Sequence, residues 1–320
     1  MKPLKSIELF CNFSFFMNTS SLSTIGNTPL THLETFAPTH NLFAKIESRN
    51  PLGSVKDRAA MGMITRGESL GLLKPGGTII EATSGNTGIG LAWIALKKGY
   101  KLIVAMPENA SEERKRVLKF LGADIVLTEM AKGMKGAVAK AIEIAEETGA
   151  YFSNQFENPG NPDFHYHTTG PEIWEQSGGK VDIIVFGVGT GGSIMGAGKF
   201  LREKNPNLQI IAVEPAESPV LSKGPEAAGP HAIPGLGAGF IPKIVDLTLF
   251  DSVETVASPD ARATAREIAK TEGLFVGTSS GAAAFAARKV AAENPEKFVA
   301  TLFPDTAERY CSTPLFTEIL

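Results

Sequence analysis

Residues 181–203 read Val-Asp-Ile-Ile-Val-Phe-Gly-Val-Gly-Thr-Gly-Gly-Ser-Ile-Met-Gly-Ala-Gly-Lys-Phe-Leu-Arg-Glu, and this stretch decides the fold. The unbroken apolar run Ile183 to Phe186 suits a strand buried on both faces, as parallel strands between helices are. The turn Gly187-Val188-Gly189-Thr190-Gly191-Gly192-Ser193 follows at once and opens a helical pattern from Ser193 to Glu203. Strand, glycine turn and helix make half of a β–α–β unit, whose crossover is right-handed.

The same alternation extends in both directions. Upstream, strand and helix patterns alternate at Thr78 to Ala82, Ile89 to Lys98, Lys101 to Met106, Ser111 to Leu121, Asp124 to Thr128 and Lys135 to Glu147. Downstream come a strand at Gln209 to Glu214, a Gly/Pro-rich loop from Ser218 to Pro242, a strand at Ile244 to Phe250, and helices at Pro259 to Glu272 and Gly281 to Asn294. The alternation breaks between Gln155 and Thr169, where Asn158-Pro159-Gly160-Asn161-Pro162 predicts a turn-rich connection at a subdomain boundary. The expectation is an α/β fold of two layered units with a cleft between them.

Composition narrows the function. With 320 residues, 43% of them hydrophobic, the chain can bury a large core. Its 31 basic and 34 acidic side chains offer no field for nucleic acid and no polybasic membrane patch. Cys11 and Cys311 make neither a disulfide framework nor a zinc cluster and fit a reducing, cytoplasmic setting. Met1 to Phe16 is apolar but interrupted by Glu8 and Asn12, and it reads as an extension rather than a signal peptide. No stretch has the roughly 20 apolar residues of a membrane span.

Chemistry is suggested at four places. Ser54 and Asp57 resemble a capping pair before a helix from Ala59 to Gly71, which puts Lys56 in the first turn. There the positive helix end and partial burial disfavour its ammonium form, as a Schiff-base lysine requires. Taken alone, a lysine near a helix start is a solvated charge. Thr83-Ser84-Gly85-Asn86-Thr87-Gly88 follows a strand, opens a helix and makes an anion cradle suited to a carboxylate, or else a plain polar turn. The Gly187 to Ser193 run fits a phosphate, and through Gly187, Gly189, Gly192 and Glu214 it also fits a dinucleotide pattern, so a nicotinamide enzyme is a rival. Gly277-Thr278-Ser279-Ser280-Gly281 offers hydroxyls to a ring nitrogen or simply caps a helix. His165 and His167, like His32, His40 and His231, form no metal pattern and read as turn or packed surface residues.

Together these segments resemble the cysteine synthase family, the O-acetylserine sulfhydrylases among the β-family, fold type II, pyridoxal-phosphate enzymes. The likeness runs from about Ile25 to Phe316 and includes Ile25 to Leu30, Ser54 to Arg58, Thr83 to Gly88, Thr168 to Trp174, Gly189 to Ser193, Pro234 to Phe240 and Ser279 to Gly281. It implies two open, twisted, mostly parallel sheets with the active site between them. Residues 48–160 would form a smaller mobile subdomain, with 17–47 and 161–320 as a larger cofactor-binding one and 1–16 outside the family pattern.

The resemblance further implies that Lys56 forms the internal aldimine with pyridoxal 5'-phosphate and moves the α-proton. Asn86 would contact the ring hydroxyl, and Gly189, Thr190, Gly191, Gly192 and Ser193 the phosphate. Ser279 would face the pyridine nitrogen. Thr83, Ser84, Gly85, Thr87 and Gln155 would hold the substrate carboxylate, and Gly235 to Gly239 would line the cleft. The implied reaction is ping-pong conversion of O-acetyl-L-serine and sulfide to cysteine and acetate through an α-aminoacrylate, with thiosulfate as another acceptor. Partners implied are a second copy, as a homodimer, and the carboxyl-terminal tail of serine acetyltransferase; no metal is implied. Ser193 stands where threonine is frequent and Thr278 where isoleucine is, and both keep the chemistry. A cystathionine β-synthase or a serine/threonine dehydratase is the alternative with the same cofactor.

Overall fold

In the computed structural model of the protein, residues 20–318 are described, so the expected extension at 1–16 lies outside them. In chain order, β1 (Leu30–His32) and β2 (Leu42–Ile46) precede α1 (Lys56–Ser69). Next come β3 (Thr78–Ala82), α2 (Asn86–Lys98), β4 (Lys101–Pro107), α3 (Glu112–Phe120), β5 (Asp124–Thr128), α4 (Gly133–Thr148) and β6 (Tyr151–Phe152). The helices α5 (Gly160–His167) and α6 (Thr169–Gln176) lead into β7 (Val181–Gly187), α7 (Gly192–Lys204), β8 (Gln209–Pro215) and a short α8 (Val220–Lys223). The chain finishes with β9 (Ser252–Val256), α9 (Ser258–Thr271), α10 (Thr278–Glu293), β10 (Phe298–Phe303) and a short α11 (Pro314–Thr317).

These strands make two sheets, of order β1-β2-β10-β7-β8-β9 and β5-β4-β3-β6. Every pairing is parallel except β1 with β2. In β7, Ile183 and Val185 join the core shared with Val299, Ala284 and Ala287, while Ile184 and Phe186 join Ile194, Ala197 and Leu201 on the opposite side. Burial on both faces is why this strand is continuously apolar rather than alternating. In the smaller sheet, Ile79 packs with Ile94 and Val104, and Ile80 and Ala82 with Ala137 and Ala141 of α4.

Two local expectations fail. No strand forms over Ile244 to Phe250, because Asp246 Oδ1 accepts from Thr248 N at 2.9 Å and turns the chain into a 3-10 segment, Leu247–Leu249; the edge strand is β9 instead. The segment after Gln155 is mostly helical: α5 starts at Gly160 and carries Pro162 within its first turn, where a missing N–H costs little. The central strand β10 went unread altogether. Among the described residues no helix is long and apolar enough to cross a membrane.

Helix α5 is wedged between α1 and α7. The crossings are so close that a Cβ on Gly62 would overlap the Gly160 carbonyl oxygen, and one on Gly196 would overlap that of Pro162. Gly62→Ala is therefore expected to destabilise the protein by about 1–3 kcal/mol, as overpacking does, read as a lowered urea midpoint.

Candidate active site

The carboxyl ends of the parallel strands of both sheets deliver their loops to one cavity of ≈370 Å³. Its walls carry Lys56, Thr83 to Thr87, Gln155, Gly189 to Ser193, Gly235 and Ser279, so the lysine, the cradle, the glycine loop and Ser279 meet there, while Gly237 and Gly239 lie outside the lining.

Lys56 opens α1 without the expected cap. Val55 occupies the N-cap position with no side-chain bond, Ser54 Oγ accepts weakly from Lys56 N at 3.3 Å, and Asp57 Oδ2 accepts from Leu52 N at 2.7 Å. The turn is instead fastened to the large sheet, where Val55 N donates to Pro304 O at 2.8 Å and Ser54 bridges Asp305. Lys56 is half-buried, and desolvation holds its amine below the usual lysine range, with Asp305 and Glu47 pulling partly the other way.

Two residues on, Arg58 is buried between carboxylates. Its Nε and Nη2 donate to Glu47 at 2.7 and 2.9 Å, and Nη1 and Nη2 both donate to Glu172 at 2.7 Å. Lys45 Nζ adds a 2.7 Å contact to Glu172. Burial pushes Glu47 up, but Arg58 overrides it and holds the carboxyl at about 2.

The cradle from Thr83 to Thr87 joins β3 to α2. Its N-cap is Gly85, with no side-chain bond, so the first N–H groups of α2 remain available to an anion. Thr87 Oγ1 donates to Gln155 Oε1 at 2.6 Å, which turns the Gln155 amide hydrogens away from Thr87. Gln155 is placed by Glu81, a buried carboxyl that accepts from Gln155 N at 3.3 Å, Ser153 Oγ at 2.7 Å and Ala82 N at 3.0 Å. Desolvation raises Glu81 to about 7 despite these donors.

The glycine run is dictated by contact. A Cβ on Gly189 would overlap the Gly235 carbonyl oxygen, one on Gly192 the Asn161 amide, and Gly191 has φ +90°. Asn161 Nδ2 holds Thr190 Oγ1 at 3.1 Å, and Ser193 Oγ lies 3.2 Å from His165 Nε2. His165 is thus a buried partner of the glycine loop, not a turn or surface residue, and desolvation lowers it to about 3, so it is neutral. Glu214 does not reach a ribose: its carboxylate is consumed by Leu221 N, Ser222 N and Ser222 Oγ at 2.6–3.0 Å. The dinucleotide rival loses its acid. Neither Ser279 nor Ser280 caps α10; Ser279 faces the cavity, and the Ser280 hydroxyl is buried without a partner.

Arg114, Phe156, Asp305 and Tyr310 also line the cavity and were not read from the sequence. The available signal for Asp305 was the apolar run ending at Phe303, because ligands bind beyond the carboxyl ends of parallel strands. Burial raises Asp305, while Tyr310, Asn86, Arg309 and Lys56 each pull it down. No cluster of three metal-ligating side chains exists among the described residues.

Comparison with known proteins supplies the family. Residues 22–305 match the family described as pyridoxal-phosphate dependent enzyme. The chain belongs to that family. It is 51% identical over 304 residues to a cysteine synthase of Haemophilus influenzae, covering 92% of this chain and 96% of that one. It is 48% identical over 297 residues to a cysteine synthase of Staphylococcus aureus, covering 92% and 95%. A cysteine synthase structure from Entamoeba histolytica superposes with a TM-score of 0.90 at 40% identity, covering 99% of this chain and 94% of that one. The architecture is accordingly that of the fold type II pyridoxal-phosphate enzymes.

The residues fit that family's cofactor. A glycine-rich loop at the start of α7 exposes backbone N–H groups as a phosphate needs, and a half-buried lysine amine and a serine hydroxyl lie in the same cavity. Lys56→Ala is expected to fold normally yet, after borohydride reduction with pyridoxal phosphate, to show none of the covalent mass increment that the wild type shows at Lys56. Glu81 gives a pH signature. Because its folded-state value lies above the unfolded one, stability is fully present below about pH 4.5 and falls as pH rises toward 7. The urea midpoint is expected to decline between pH 5 and 8, and the decline to shrink in Glu81→Gln.

Proposed function

We propose that the protein is a cysteine synthase, replacing the acetate of O-acetyl-L-serine by sulfide. The observation that carries this reading is the cradle of uncapped helix N–H groups and hydroxyls, Thr83 to Thr87 with Gln155, in the same cavity as the Lys56 amine and the glycine loop. The cysteine synthases among its relatives support the choice of donor and acceptor.

Pyridoxal phosphate, when bound, acidifies the α-carbon of an amino acid and eases departure of a β-substituent. Gly189 to Ser193 would hold its phosphate, Asn86 its ring hydroxyl and Ser279 its pyridine nitrogen. The open N–H groups of α2 and the hydroxyls of Thr83, Ser84 and Thr87 bind the substrate carboxylate, with the Gln155 amide donating from the other side. That grip fixes the α-carbon against Lys56. Desolvation disfavours the ammonium form, which suits Nζ to take the α-proton as acetate leaves Cβ with its bonding pair. Hydrosulfide then adds to Cβ, and Lys56 returns the proton to Cα. Donor and acceptor use one site in turn, so the kinetics are ping-pong.

Residues 48–160 form the smaller subdomain in this reading and close on 17–47 with 161–320 when the cradle fills. We place the enzyme in the cytoplasm as a homodimer. The same cradle suits the terminal carboxylate of a serine acetyltransferase tail, which would compete with O-acetyl-L-serine.

The test is spectroscopic. The purified holoenzyme's visible band is expected to shift on adding O-acetyl-L-serine and to return on adding sulfide, with cysteine released. A band indifferent to O-acetyl-L-serine but responsive to serine with homocysteine would replace this reading by cystathionine synthesis.

A further inference from the structure

Asn86, the first residue of α2, has its side-chain amide held at both ends. Nδ2 donates to Asp305 Oδ2 at 2.6 Å, and Oδ1 accepts from Arg309 Nη1 at 2.7 Å. A carboxylate only accepts and a guanidinium only donates, so a flipped amide would lose both bonds. The grip allows one orientation, and it leaves one Nδ2 hydrogen uncommitted.

Both holders are themselves fixed. Asp305 Oδ2 also accepts from Tyr310 Oη at 2.5 Å, and Asp305 sits beyond the end of β10, bridged to Ser54 two residues before Lys56. Arg309 Nη2 donates to Leu52 O, and Leu52 N donates to Asp57 Oδ2 at 2.7 Å. The same guanidinium thus ties Asn86 to the loop that leads into α1. Asp305 is the one acidic side chain among the described residues lining the cavity, and its Oδ1 is buried with no partner. An unpartnered buried carboxylate oxygen is costly unless a cation or donor comes to it. The cavity's cations are Lys56 and Arg114, and Arg114 Nη1 is turned to Ser84 O at 2.9 Å.

We propose that Asp305 and Arg309 are positioning residues: they lock the Asn86 amide with its free Nδ2 hydrogen toward the cavity, and the Asp305 carboxylate is the counter-charge for Lys56 while Nζ holds a proton. The inference deepens the proposed reaction and rests on it for the proton-holding step. The amide lock rests on the hydrogen bonds alone. A negative charge near the amine favours the ammonium, so Lys56 can keep a proton in a desolvating site until it is returned.

The experiment compares holoenzymes of wild type, Asp305→Asn, Arg309→Met and Arg309→Lys. Two quantities are read: the resting absorption and emission of the bound cofactor, and the pH dependence of the spectral change caused by O-acetyl-L-serine. Asp305→Asn keeps an acceptor for Asn86 but loses the charge. Its pH midpoint is expected to move down by about one unit, a tenfold change in proton affinity, with the cofactor retained. Arg309→Met is expected to alter the resting emission and to release cofactor several-fold faster, and Arg309→Lys, which can still donate to Asn86 Oδ1, to restore both.

An unchanged pH midpoint in Asp305→Asn overturns the counter-charge. Wild-type emission and retention in Arg309→Met, or no rescue by Arg309→Lys, overturns the lock; these variants decide it even if Asp305→Asn does not fold. If the wild type itself ignores O-acetyl-L-serine, the proposed donor is wrong and the counter-charge falls with it, while resting emission and cofactor retention still decide the lock.

Discussion

The interaction on which the site depends is the buried ion network around Arg58. Helix α1 contributes Met63 and Ile64 to the core of the smaller sheet, yet its first turn is bound by Arg58 to Glu47, just after β2, and to Glu172 in α6. A guanidinium with two carboxylates and Lys45 compensates the desolvation of every member, while removing one would leave bare charge in the interior at a cost of about 3–5 kcal/mol. Lys56 is two residues away. The lysine is therefore positioned by ion pairs facing away from the cavity, leaving its amine free for chemistry.

The cavity itself uses backbone more than side chains. Two helices, α2 and α7, begin at its wall with glycine at the N-cap and no capping side chain, so both offer N–H groups to anions. The smaller sheet supplies the Thr83 to Thr87 cradle and the larger one the glycine loop, so the proposed reaction has two separate places for its two anions. Glu81 links the cradle to Gln155 across β3 and β6, and His165 and Asn161 support the glycine loop from α5. Donor sets of this kind need no movement of charge to bind a negative group, so binding and orientation are one event.

Much of this was legible because parallel β/α order leaves strong marks. Continuous apolar runs, glycine turns and helix starts located β3, β4, β7, β8 and the loops after them. Other parts left no mark. Strand β10 lies in a tail whose pattern carries no adjacent glycine turn, and Ile244 to Phe250 looked like a strand until a local Asp246–Thr248 bond bent it. The Ser54/Asp57 pair looked like a cap, but Asp57 turned back to Leu52 because Val55 is bound to the large sheet.

The sequence by itself determined the α/β class and located the lysine, the Thr83 to Thr87 turn and the glycine loop, since each is a local pattern written in neighbouring residues. Only the tertiary structure decided what surrounds them: that Glu214 is occupied by its own loop, that His165 is buried against Ser193, and that Asp305 and Arg309 close on Asn86 from more than two hundred positions away. Those contacts join segments distant in the chain, and what brings them together is the packing of both sheets around α1 and α5, which no local spacing records.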